Sequence, residues 1–181
     1  ASTIAATTYN HLGAGTTLDF GAAITYTLAS GTTTVGGNLT IGHASSTNSD
    51  TLTAVTNNSI LDVNGNVTIT AKGILTADDT QNFTVGGNWT NNNASGFVKS
   101  GGTVTFDATD TGNTLSGTLS GASDFSRIAF TGSGGEWTLG ANLETDGASV
   151  TAISIAGGST LLNGGYTITG NGASDTFSVS N

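Results

Sequence analysis

Apolar and polar residues alternate along most of the chain in short runs. Ile24-Thr25-Tyr26-Thr27-Leu28, Val67-Thr68-Ile69-Thr70 and Val104-Thr105-Phe106 show it, and Ile153-Ser154-Ile155 and Phe177-Ser178-Val179 continue it. Period-two alternation sends successive side chains to opposite faces, so each run predicts a short strand with one face in and one face out. Clusters of Gly, Asn, Asp and Ser separate the runs and read as turns. No long window holds the i, i+3, i+4, i+7 spacing of an amphipathic helix.

The runs repeat a motif. Val35-Gly36-Gly37-Asn38-Leu39-Thr40-Ile41 returns as Val63-Asn64-Gly65-Asn66-Val67-Thr68-Ile69 and as Val85-Gly86-Gly87-Asn88-Trp89-Thr90. Weaker copies are Leu139-Gly140-Ala141-Asn142-Leu143-Glu144 and Leu162-Asn163-Gly164-Gly165-Tyr166-Thr167-Ile168. The starts step by 28, 22, 54 and 23 residues, and 54 reads as two periods of about 27. In this reading an apolar residue ends one strand and Gly36, Gly65 or Gly87 supplies a tight turn with positive φ. Asn38, Asn66, Asn88 and Asn142 then sit at the bend, tolerating left-handed backbone and bonding neighbouring chain. Coils of about 25 residues stacked on one another form parallel sheets along an axis. The prediction is an all-β, parallel β-solenoid of about seven coils and roughly 34 Å in height, one domain over 1–181, with 1–20 as a cap or intersubunit segment. The alternative is an antiparallel β-sandwich or jelly roll, favoured by the irregular steps and by residues 107–135, which lack the motif.

Val35–Ile41, Gly102-Thr103-Val104-Thr105-Phe106-Asp107, Leu115-Ser116-Gly117 and the stretch from Gly134 to Leu143 lie within roughly residues 30–170. Together they resemble the repeat regions of secreted bacterial β-solenoid surface proteins of the filamentous-haemagglutinin and autotransporter-adhesin kind. The resemblance implies a surface stalk, an adhesin or a matrix fibre without catalysis.

Composition narrows the partners. Gly, Thr, Ser and Asn make up roughly 55% of the 181 residues, whereas 8% are charged. Sparse charge and absent Pro separate this chain from disordered linkers. The net charge is −9, and the three basic residues, Lys72, Lys99 and Arg127, are far apart in sequence. Nucleic-acid and anionic-membrane binding need clustered cations, so neither is expected. No apolar run is long enough for a transmembrane helix. The start at Ala1 and the lack of Cys suit an exported, mature protein, secreted or at the cell surface.

Candidate chemistry is thin. His11 and His43 lack metal-ligand spacing and read as exposed polar positions. Asp78-Asp79, Asp107 with Asp110, and Glu136 with Glu144 are carboxylate pairs of the type glycosidases use. With almost no cations to bind sugar acids, they read as solvated turns, and no enzyme is expected. Asp107, Asp110, Asp78 and Asp79 are also weak Ca²⁺ candidates, since calcium takes six to eight oxygens. Gly170-Asn171-Gly172-Ala173-Ser174-Asp175 faintly echoes a calcium repeat. No other cofactor is expected. Among the Asn-x-Ser/Thr sites, Asn57, Asn82 and Asn93 are candidate glycosylation sites, whereas Asn38, Asn66 and Asn88 have the turn role instead. Thr-x-Thr pairs at 51–53, 68–70, 103–105 and 167–169 step by 17, 35 and 64, which does not stack them into one ice-binding face. Trp89 and Trp137 are candidates for glycan contact, with core packing as the competing role.

The functional expectation is an exported structural protein that self-associates into a filament or surface layer through unpaired strand edges. An adhesin or glycan-binding module is the alternative, and an ice-binding protein or polysaccharide-active enzyme comes after it.

Overall fold

The computed structural model describes residues 2–3, 10–12, 16–18, 25–42, 48–147 and 151–180. Within them the chain winds into a parallel β-solenoid. Three sheets of five, eight and seven strands run along its axis, with a further two-stranded sheet near the C-terminal end. One coil visits each long sheet in turn: Asp50–Thr53 in the first, Ser59–Val63 in the second, Val67–Ile69 in the third. The next repeats the path with Gly73–Thr76, Phe83–Val85 and Trp89–Asn91. Every strand pair among the described residues is parallel, which excludes the antiparallel sandwich. The strands make about six turns, in keeping with the expected solenoid of about seven coils. Strands Ser2–Thr3, Asn10–Leu12 and Thr16–Leu18, within the segment expected to cap the fold, pair onto the three sheets as a first coil.

Register is kept although coil length is not. Val35, Val63, Val85, Phe106, Phe130 and Ile155 are stacked partners in the second sheet, separated by 28, 22, 21, 24 and 25 residues. Corners absorb the difference. The longest coil fits a 3₁₀ turn, Val55–Asn57, between its first two strands. The first three motif copies share the corner between the second and third sheets. The weaker copies do not. Residues 139–143 and 162–168 turn from the third sheet into the two-stranded sheet, Leu143–Thr145 with Ile168–Gly170. The step of 54 therefore joins two different corners and is not two periods. Residues 107–135 lack the motif because that same second-to-third corner lengthens there, from Phe106 to Asn113 and from Phe130 to Glu136.

The inward columns form one core. On the second sheet Leu61, Phe83, Val104, Ile128 and Ile153 stack in register, and on the third Leu39, Val67, Trp89, Leu115 and Leu139 do so; all are buried. Aromatic rings fill the centre. Trp89 meets Phe97 edge-on at 5.1 Å and Phe125 at 5.4 Å, and Phe130 meets Trp137 at 5.2 Å, spacings that add to plain area burial. Both indoles are fully buried, and neither Nε1 has a hydrogen-bond acceptor.

Candidate interaction surfaces

The repeated turn is a ladder. The Asn38 side-chain oxygen accepts from the Asn66 N–H at 2.9 Å, and that of Asn66 accepts from the Asn88 N–H at 2.7 Å. Asn88 in turn accepts from the N–H of Thr114 at 2.7 Å. On the other corner Asn142 accepts from the Thr167 N–H at 3.1 Å. Each bond joins one coil to the next and satisfies a backbone donor that the bend would otherwise leave unpaired. None of these asparagines, and none of Gly36, Gly65 and Gly87, has left-handed backbone, contrary to the expected turn geometry. Close approach explains the glycines: a Cβ on Gly65 would lie 2.6 Å from the Asn38 side-chain oxygen and 2.8 Å from the Gly37 carbonyl, and one on Gly87 would lie 2.6 Å from the Asn66 oxygen.

The carboxylates are dispersed. Asp78 and Asp79 lie between strands of the first and second sheets, Asp107 and Asp110 between strands of the second and third. Asp78 is buried, which works to raise its pKa, but the N–H groups of Thr80 and Gln81 and the Thr80 hydroxyl outweigh burial and hold it below the ordinary value. Its accepting oxygen is thus committed to its own turn, at 2.8 and 2.9 Å. Partial burial and the nearby Asp62 push Asp107 upward. Asp110 accepts from the Asn113 amide. Asp175 accepts from the Gly172 N–H within its own turn. Glu136 begins strand Glu136–Leu139 of the third sheet, and Glu144 accepts from the Gly121 N–H at 2.8 Å. Among the described residues no group of three His, Asp or Glu could hold a metal ion.

Two charged features stand outside the expected candidates. Lys99 bonds both Asp124 and Asp146, so one ammonium group joins three successive coils. Its partners come from 25 and 47 residues away, a distance that only the coil register brings together. Asp50 is buried with neither side-chain oxygen bonded. It shares the inward face with Leu52, so the alternation Asp50-Thr51-Leu52 carries that signal.

The remaining candidates scatter. The Asn57 amide donates to the Leu28 carbonyl at 2.6 Å, the Asn93 amide donates to that of Gly73 at 2.8 Å, and Asn82 is exposed ahead of strand Phe83–Val85. His11 belongs to strand Asn10–Leu12, and His43 lies outside the described residues. Buried as they are, Trp89 and Trp137 present no ring to a sugar. Among the described residues no helix is long and apolar enough to cross a membrane.

The last coil differs from all these. Ile168, Phe177 and Val179 stack in register on Leu143, Ile153 and Ile155, which are buried. They themselves are 37%, 53% and 60% exposed. Around them a groove of about 360 Å³ is lined by Thr145, Ala152, Ile153, Ile168, Asp175 and Phe177. One oxygen of Asp175 is buried there without a partner.

Comparison with protein-family models, curated proteins and solved structures finds no match to this chain.

Proposed function

We propose that the chain is a structural unit of an extracellular filament or surface layer, assembling end to end and carrying no catalysis of its own. The observation behind this reading is the last coil. Its apolar residues occupy columns that are buried one step earlier, and the edge of strand Thr176–Val179 faces along the axis with its backbone groups ready to accept another parallel strand. A second copy whose first coil stacks there continues the same sheets and covers Phe177 and Val179. Such a head-to-tail contact does not close on itself and propagates. The small share of charged residues, 8%, is compatible with close packing of copies. The dispersed carboxylates support a role without chemistry.

Electron microscopy and light scattering on the purified chain test it. Filaments that lengthen with concentration are expected. The pair Phe177→Asp and Val179→Asp should leave short or single particles with unchanged circular dichroism. A monodisperse monomer for the wild-type chain at every concentration sinks the proposal.

A further inference from the structure

Six asparagines stand in Asn-x-Ser/Thr strings: Asn38, Asn57, Asn66, Asn82, Asn88 and Asn93. Five of them are engaged. The side-chain oxygens of Asn38, Asn66 and Asn88 accept from backbone N–H groups of the next coil, and the Asn88 amide also donates to Asn66 at 3.0 Å. The Asn57 and Asn93 amides donate to the carbonyls of Leu28 and Gly73. Asn82 alone of the six is exposed with no side-chain hydrogen bond. Phe83 pairs with Leu61 and Val104, which brings Asn82 level with Ile60 of the preceding coil and Thr103 of the following one. Phe83 is buried, so alternation turns Asn82 and Thr84 outward on the second sheet.

We propose that Asn82 is the acceptor of an N-linked sugar, carried on the flank of the solenoid. The proposal rests on the reading of the chain as exported. The Asn82 amide nitrogen attacks the anomeric carbon of a diphosphate-activated sugar. The bond from that carbon to the diphosphate oxygen breaks, the electron pair leaves with the diphosphate, and the nitrogen gives up one proton to the transferring enzyme. In the folded chain Phe83 is buried and the Thr84 hydroxyl donates to Asp62, so the string Asn82-Phe83-Thr84 is closed to an enzyme. Transfer therefore precedes closure of this coil, and the fold then decides which sugars it tolerates. A sugar on Asn57 or Asn93 disturbs the bond its amide makes to another coil. A sugar on Asn38, Asn66 or Asn88 crowds a corner where even a Cβ added at Gly65 or Gly87 would lie 2.6 Å from an asparagine oxygen. On Asn82 it displaces water alone. Strand Phe83–Val85 is the fourth of eight in the second sheet, so the sugar stands clear of the first and last coils. A bulky, hydrated group there hinders side-by-side contact and leaves end-to-end contact open.

The test secretes the whole chain from a eukaryotic host that glycosylates Asn-x-Ser/Thr, followed by intact-mass and peptide mass spectrometry. The folded, secreted protein is expected to carry a single oligosaccharide at Asn82. Peptide N-glycosidase should remove it and convert Asn82 to aspartate. Asn82→Gln should be secreted as the bare chain with unchanged circular dichroism. Thr84→Ala should lose the sugar and Thr84→Ser should keep it, which separates loss of the acceptor string from loss of the fold. Secreted protein that is bare at Asn82 overturns the proposal, and so does folded protein carrying its sugar on Asn57 or Asn93. Filaments formed by a bare chain would overturn it while leaving the assembly reading standing, whereas a glycosylated monomer that never assembles does the reverse.

Discussion

The middle of the solenoid and its last coil are made from the same material. Val104-Thr105-Phe106 and Phe177-Ser178-Val179 both alternate, both pair in parallel on the second sheet, and both send two apolar side chains inward. Phe106 is nevertheless fully buried and Phe177 is half exposed. The strand's own sequence does not decide the difference. A core residue here is covered by the coil above as much as by the sheets around it, so burial is a property of the stack. The end coil keeps the pattern and lacks the cover.

The largest effect should come from emptying the centre. Phe106→Ala removes a ring that packs on Phe130 at 5.4 Å and on Trp137 at 6.2 Å, and should cost about 3–5 kcal/mol. Phe177→Ala should cost less than about 1 kcal/mol in the free chain, since much of that ring already meets water. Urea unfolding of dilute protein compares the two. If Phe177 proves as costly as Phe106, something covers the end coil even in the isolated chain, and the contrast fails.

Next in size is the close stacking of the repeated corner. Gly65→Ala drives a methyl group against backbone of the preceding coil, at 2.8 Å from the Gly37 carbonyl. Backbone held by sheet bonds on both sides cannot yield cheaply, so the loss should be about 1–3 kcal/mol. Gly165, near the end coil, has nothing within 4 Å of its added Cβ, although its φ of +90° still strains an alanine there. Gly165→Ala should therefore cost about 1 kcal/mol, from backbone alone. Thermal melts of the two variants separate crowding from conformation.

Much of this architecture can be read from the chain, and the reasons for the rest are physical. Alternation marks each strand because one face is buried, and recurrence of Gly-Asn before the next strand marks a shared corner. Coil phase is harder. Leu139-Gly140-Ala141-Asn142 resembles Val35-Gly36-Gly37-Asn38 because both place an asparagine to bond the next coil, yet they stand on different corners. Chemistry selects the residue, and the position on the polygon leaves no trace in it. Glycine misleads in a similar way: the residue that frees the backbone is also the one that lets two backbones touch, and only coordinates tell Gly65 from Gly165. The column Thr40, Thr68, Thr90 and Ser116 on the third sheet is hidden because unequal spacing in the chain masks residues that corners of unequal length keep in register. The Lys99 clamp is invisible for the same reason.

A smaller effect belongs to the ladder. Asn66→Ala removes the acceptor of both the Asn88 N–H and the Asn88 side-chain amide and should cost about 1 kcal/mol, as coil-to-coil bonding between half-buried groups. Asn142→Ala, whose partner Thr167 is exposed, should cost less, because water replaces the lost acceptor. Amide exchange at Asn88 and Thr167 reads the two bonds directly. Equal protection at both would mean that the end coil is as firmly held as the middle.

The smallest effect is the pH dependence of the clamp between the middle and the coils beyond it. Burial alone would lower the Lys99 pKa, but its bonds to Asp124 and Asp146 raise it above the ordinary lysine value of 10.5. A folded-state pKa above the unfolded one means that the native chain binds the proton more tightly. The stabilisation is therefore complete below the ordinary value and is lost as pH rises through the raised one. Lys99→Met should destabilise the chain by about 1 kcal/mol near neutrality, since the lysine is partly solvated while Asp124 is left buried without its cation. The gap between variant and wild type should close in strong alkali, and urea midpoints across the alkaline range would show it. Asp78 has the opposite sign: its pKa is lowered, so its contribution stands above the ordinary carboxylate value of 3.8 and fades as acid protonates the folded state. A gap for Lys99→Met that persists undiminished into strong alkali would mean that the ammonium charge contributes nothing to the join.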